Sequence, residues 1–148
     1  MIRRTAALMA VLLAASSSVG CSAKSDPPKS GPQTTTIEIS YDDLLNQKHI
    51  RRTLALKVGD TLQVSLGSNP STGFGWAPQM QLTNATVLAQ TGHEVLAPSA
   101  SRPGAAASEV WALQAMAPGA TTVSNAFGRP WSGGEKDSWT FTADVTVN

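Results

Sequence analysis

The sequence predicts an all-β domain, a two-sheet sandwich of about seven to eight short strands. Three observations carry that expectation. Apolar and polar residues alternate with period two in several short runs, clearest in Trp139–Val147. The chain of 148 residues holds 12 glycines and 9 prolines, a density that favours many turns over long helices. Only Tyr41 to His49 could form a helical turn, and that stretch reads better as a loop. Short strands separated by turn residues are the pattern of a sandwich, and about 110 residues is an ordinary size for one.

The first residues belong to export rather than to the fold. Arg3 and Arg4 precede an apolar run from Ala6 to Ala15, which is too short to span a bilayer. A charged head, a short apolar stretch and small residues after it describe a secretory signal peptide over residues 1–20. Cys21, the single cysteine, follows Ser18-Val19-Gly20 directly. This arrangement resembles a bacterial lipobox, with Ser18 where leucine is usual; the resemblance implies a diacylglycerated Cys21 at the head of the mature chain. The alternative is an ordinary signal peptide cut after Gly20 or Ala23. The lipidated form is expected at a cell membrane or envelope, the other form in the secreted fraction. Residues 21–35 are built mostly of Ser, Pro, Lys, Gly and Thr without apolar periodicity, so a flexible tether is expected there. The folded domain is then residues 36–148.

Within that domain, Ile37 and Ile39 alternate with Thr36, Glu38 and Ser40. Leu54, Leu56 and Val58 repeat the pattern, Gly59-Asp60 supplies a turn, and Leu62, Val64 and Leu66 continue; the pair reads as a hairpin. Ala85–Val95 is a weaker strand and Glu109–Met116 a stronger one, with Trp111, Leu113 and Ala115 on one face. Pro118-Gly119 forms a turn, with Pro preset in φ and Gly tolerant of positive φ, before a β-branched strand from Thr121 to Phe127. In the last strand Trp139, Phe141, Ala143, Val145 and Val147 share a face. Trp76 and Trp111 are expected in the core.

Composition excludes several functions. The chain is 14% charged with formal net charge +1, too little basic character for a phosphate-binding surface, so no nucleic-acid partner is expected. Removing Arg3 and Arg4 with the signal peptide leaves 9 of the 11 basic side chains against 10 acidic ones, a near-neutral exported protein. One cysteine allows neither an internal disulfide nor a multi-cysteine zinc site. His49 and His93 stand in no metal-ligand spacing and read as ordinary surface or strand residues. Ser71 lacks the glycine two positions earlier that a nucleophile elbow needs, and Asp42-Asp43 reads as a solvated pair. The Asn84-Ala85-Thr86 sequon matters only in a glycosylating host. The expectation is therefore no enzyme, no cofactor and no metal, in a monomeric domain.

Two loops stand out. In Asn69-Pro70-Ser71-Thr72-Gly73-Phe74, Pro70 fixes its own φ and keeps Asn69 extended, Asn69 can hydrogen-bond the backbone two residues on, and Gly73 accepts a positive φ. Arg129-Pro130-Trp131 places a guanidinium and an indole on a second proline-stiffened turn, side chains typical of binding hot spots. The stretch NPSTGF from Asn69 to Phe74, followed by Trp76, resembles the NPTTG-aromatic motif of the chagasin family, inhibitors of papain-like cysteine peptidases. GRPW, Gly128 to Trp131, matches that family's RPW motif about 55 residues further on. The family's third element, a G-x-G-G loop, corresponds to Gly104-Ala105-Ala106-Ala107, where only the first glycine is kept. The resemblance spans about residues 36–148 and implies an immunoglobulin-like sandwich. It also implies that Asn69–Phe74 is the central wedge in a peptidase cleft, with Thr72 near the target's catalytic cysteine. Gly104–Ala107 and Arg129, Pro130 and Trp131 would flank it, with Trp131 against aromatic residues of the primed side. A different class stays open: a non-inhibitory, lipid-anchored sandwich that binds an envelope protein or a glycan through the same loops.

Overall fold

The computed structural model describes residues 31–98 and 105–148. Cys21, most of the expected tether and Gly104 lie outside the described residues. Among the described residues, nine strands and one short α-helix follow in chain order: β1 Thr34–Ile39, α1 Tyr41–Asn46, β2 His49–Leu56, β3 Thr61–Ser68, β4 Gly75–Trp76, β5 Gln81–Leu82, β6 Leu88–Leu96, β7 Ala107–Ala115, β8 Gly119–Gly128 and β9 Trp139–Val147. One sheet has the order β1-β3-β7-β6; the other has the order β2-β9-β8-β4, with β5 also paired to β8. The pairs β1–β3 and β2–β9 are parallel, and the remaining ladders are antiparallel. Two sheets facing each other across one core make a β-sandwich.

Period two decides which side chains the core receives. All five odd-numbered residues of β9, from Trp139 to Val147, are buried. Leu62, Val64 and Leu66 of β3 meet them from the opposite sheet together with Trp111 and Leu113 of β7, none of them measurably exposed. Trp76 is also in the core, where its indole Nε1 donates to the Gly67 carbonyl at 3.0 Å.

The expected hairpin of Leu54–Val58 with Leu62–Leu66 does not form. β2 lies in one sheet beside β9, while β3 lies in the other between β1 and β7. Both strands have an apolar face, and alternation specifies that face without specifying the partner. The connection carries the chain across the sandwich edge instead. Gly59 sits at φ 95°, and the Asp60 carboxylate accepts from the amides of Lys57 and Gln33, each at 2.9 Å. Val58 falls outside β2 and is exposed.

A second departure is α1, expected as a loop. Ser40 and Asp43 form a capping box: the Ser40 hydroxyl accepts from the Asp43 amide at 3.1 Å, and the Asp43 carboxylate accepts from the Ser40 amide at 3.0 Å. These bonds satisfy two orphan amides at the helix start. Leu44 is its one buried residue, completely enclosed, and Tyr41 meets the Trp139 ring edge-on at 5.2 Å. One capped turn with a single apolar anchor is therefore enough to hold the segment.

Among the described residues, three aspartates have their pKa lowered from the ordinary value by hydrogen bonds. Asp43 is lowered chiefly by the Ser40 side chain and then the Ser40 amide, Asp60 by the Gln33 and Lys57 amides, and Asp144 by Arg51 and then Thr122. A carboxylate whose folded pKa lies below its unfolded value stabilises the fold above the unfolded value of about 3.9, and that contribution disappears as pH falls through the folded value. The urea midpoint is thus expected to stay level from about pH 7 to about pH 5 and to fall below about pH 4. Asp60→Asn should flatten the acid limb, since Asp60 ties the crossover to the N-terminal strand. An acid limb identical to the wild type would remove Asp60 from this account.

Candidate functional site

Strand register places the two motif loops at one end of the sandwich. Ser68, the last residue of β3, lies opposite Ala107 at the start of β7, while Phe127 near the end of β8 faces Trp139 at the start of β9. The segment Asn69–Phe74 leaves the first position, and the segment Arg129–Ser138 connects the second pair. The end of β6 reaches this same end, Leu96 lying opposite Ser108 beside the first residue of β7.

The first loop is stiff for reasons its residues supply. Pro70–Thr72 makes one 3-10 turn, with Pro70 in its first turn and Gly73 closing it at φ 77°. The Thr72 hydroxyl donates to the Asn69 carbonyl at 2.7 Å and accepts from the Phe74 amide at 3.3 Å; Ser71 donates to the Asn69 side chain. Serine in place of the family's threonine thus keeps a hydroxyl where one is used. Pro70, Ser71 and Thr72 are exposed, Asn69 and Phe74 half-buried.

The second loop is built against the first. The Trp131 ring lies over Gly73 so closely that a Cβ there would stand 2.8 Å from the indole Cη2. Arg129 sets its guanidinium over the Phe74 ring at 4.4 Å, with the Trp131 ring on it at 5.7 Å. Phe74 stacks on Phe127, and Phe127 on Trp139 at 4.6 Å, so an aromatic column runs from the loops into the core. Cation–π contact of this kind contributes about 0.5–1 kcal/mol at exposed sites and more where water is excluded. Trp131 is nevertheless 51% exposed, which leaves much of an indole free for a partner. Pro130 is exposed beside it. Gly128, which opens GRPW, has a packing reason: a Cβ would lie 2.8 Å from the Glu135 carbonyl oxygen.

A crevice of about 530 Å³ lies between the loops and the sheet edges, lined among others by Pro70, Phe74, Val95, Glu109 and Arg129. Glu109 is a carboxylate on the inward face of β7, unreadable as such from composition. It is satisfied by Ser68 Oγ, donating at 3.0 Å, and by His93 Nε2 at 3.1 Å. A buried carboxylate needs such partners. His93 in turn stacks on Trp111 at 4.9 Å. His49 is exposed and bonds Thr140.

Of the expected site residues, Asn69, Pro70, Ser71, Thr72, Gly73, Phe74, Arg129, Pro130 and Trp131 gather at this end, and Gly104 lies outside the described residues. Ala105 and Ala106 precede β7, and Ala107 is its buried first residue. Sequence reasoning missed Lys136, whose Nζ donates to the carbonyls of Arg129 and Trp131. Among the described residues no group of three or more His, Cys, Asp or Glu is placed to hold a metal ion.

A β-sandwich that presents two interlocked, stiff loops from one end is a loop-presenting binding protein. Residues 55–145 match the family described as "Chagasin family peptidase inhibitor I42", and the chain belongs to that family, whose members are inhibitors and not enzymes. The chain is 28% identical over 107 residues to chagasin of Trypanosoma cruzi, an alignment covering 70% of this chain and 96% of the relative. Its fold is similar to that of EhICP2, a cysteine protease inhibitor from Entamoeba histolytica, with TM-score 0.62 at 19% identity, covering 78% of this chain and 96% of the other. It is also similar to PbICP-C in its complex with falcipain-2, with TM-score 0.54 at 17% identity, covering 78% of this chain and 99% of the other.

Proposed function

We propose that this protein is a reversible inhibitor of papain-like cysteine peptidases that wedges loops 69–74 and 129–131 into the active-site cleft. The observation that carries this reading is the seating of Trp131 on Gly73, which joins the two motif loops into one blunt, prearranged end. A loop already held by Pro70, by the Thr72 hydroxyl and by a neighbouring indole loses little freedom on docking, which favours affinity. A blunt wedge that brings no carbonyl into attack geometry beside a thiolate binds without being cut. The complex of PbICP-C with falcipain-2 and the name of EhICP2 support a cysteine peptidase as the target class.

The test is a titration of the protein against papain or a cathepsin L-type enzyme. Stoichiometric, reversible loss of peptidase activity is expected. Its absence at micromolar concentration would turn the reading toward a sandwich that binds an envelope protein or glycan. Trp131→Ala should raise the inhibition constant by about 30-fold, the scale of an interface hot spot of about 2 kcal/mol. Its melting temperature should hardly move, because half of the ring already faces solvent.

Anchoring belongs to the same proposal. Cys21 is read as the lipidated first residue of the mature chain, with the tether holding the inhibitor clear of the membrane surface. A diacylglyceryl group supplies the second chain that stable anchoring requires. Cys21→Ala is expected to move the protein from the membrane fraction to the soluble one on fractionation; unchanged partitioning would refute lipidation.

A further inference from the structure

One exposed cation, Lys136, bridges the two ends of the loop from Arg129 to Ser138. The carbonyls of Arg129 and Trp131 both accept from the Lys136 ammonium, the latter at 3.0 Å. Backbone bonds close the rest of the ring: the Arg129 amide donates to the Glu135 carbonyl at 2.7 Å, and the Gly134 amide to the Trp131 carbonyl at 3.0 Å. The Trp131 carbonyl therefore uses both lone pairs, one on an amide and one on the ammonium. Directly after Lys136 comes Asp137, the one non-glycine residue with positive φ among the described residues, at 52°. Such a conformation needs support from its surroundings. Space around the indole is confined as well. A Cβ on Gly134 would stand 2.7 Å from Arg129 Cβ and 3.1 Å from the indole Nε1, and one on Gly73 would stand 2.8 Å from the indole Cη2.

We propose that Lys136 is a positioning residue of the inhibitory end, holding Arg129 and Trp131 in their binding arrangement by its bonds to their carbonyls. The inference rests on the inhibitory reading above and extends it to a residue outside both motifs. Bonds from an ammonium to carbonyl oxygens are charge-assisted and stronger than neutral ones, so one side chain can fix a loop that has no strand of its own. Without it, the Arg129 carbonyl loses its ammonium donor and the Trp131 carbonyl keeps only the Gly134 amide, so the indole and the guanidinium must be ordered during docking rather than before it.

The experiment compares Lys136→Met, Lys136→Gln and Lys136→Arg, each alone and combined with Trp131→Ala. Lys136→Met is expected to raise the papain inhibition constant by about tenfold, with Lys136→Arg recovering most of it because a cationic donor is kept. In the Trp131→Ala background the same change should matter by only about threefold, since the indole is gone and Arg129 alone is left to position. Full additivity would overturn the proposal and mark Lys136 as a direct contact. A second readout needs no peptidase. Trp131 is the exposed indole, while Trp76, Trp111 and Trp139 are 5%, 0% and 8% exposed, so acrylamide quenching reports chiefly on Trp131. Lys136→Met and Lys136→Gln should both increase quenching at an unchanged melting temperature. Quenching equal to the wild type would overturn the positioning role even if the protein proved to inhibit no papain-like enzyme, an outcome that would defeat the inhibitory reading by itself.

Discussion

Gly67→Ala is expected to destabilise the domain by about 3 kcal/mol, the upper end of the usual range for overpacking, and to lower the melting temperature by about 10 °C or more. Gly67 lies near the end of β3, fully covered, with α1 resting on its backbone. A Cβ at this position would stand 2.2 Å from the Tyr41 nitrogen, 2.6 Å from Tyr41 Cα and 2.8 Å from the Ser40 carbonyl carbon. All three are backbone atoms, so no rotamer change can relieve the collision. Either α1 lifts away or β3 bends. If α1 lifts, Leu44 loses its enclosure and Tyr41 its edge contact with Trp139. If β3 bends, the bond from Trp76 Nε1 to the Gly67 carbonyl is strained just before the first loop begins. Thermal and urea unfolding measure the loss. A melting temperature within about 2 °C of the wild type would mean that α1 is not held as tightly as its contacts indicate.

Gly67 also shows where sequence reading ends. Its role depends on Tyr41, 26 positions earlier, and a lone glycine in an alternating strand carries no sign of a helix lying on it. What was legible was whatever a strand states about itself. The alternation in β9 names its buried face, and Pro70 and Gly73 announce the stiffness of their own loop through restricted and permitted φ. Partners are another matter. Leu54, Leu56, Leu62 and Leu66 are equally apolar whether β2 and β3 pair or separate into two sheets, and only the crossing at Asp60 decides it. The capping box of α1 was written in Ser40 and Asp43, yet a helix with one buried leucine has too little periodicity to stand out. At the site, both motifs were visible separately. Their contact, Trp131 on Gly73 and Arg129 on Phe74, joins residues far apart in the chain. Lys136 escaped for a simpler reason: a lysine in a loop ordinarily reads as a solvated charge.

Gly73→Ala should weaken inhibition far more than stability, with an inhibition constant raised about 30-fold and a melting temperature lowered by only a few degrees. Two effects act at this position. At φ 77° an L residue is strained by about 1–2 kcal/mol, and the new methyl would meet the Trp131 ring at 2.8 Å. The second collision is unlike the one at Gly67, because the obstructing atoms are the far end of a side chain that is half exposed. The indole can swing outward, so the core scarcely registers the change, but Arg129 then loses one of its two aromatic neighbours and the two loops no longer share a surface. The double variant Gly73→Ala/Trp131→Ala separates the two contributions. With the indole absent the methyl has nothing to strike, and only the backbone strain remains. The combined loss of inhibition should therefore be clearly smaller than the sum of the single losses. Strict additivity would show that Gly73 and Trp131 serve binding independently, and that the contact between the two loops has no part in it.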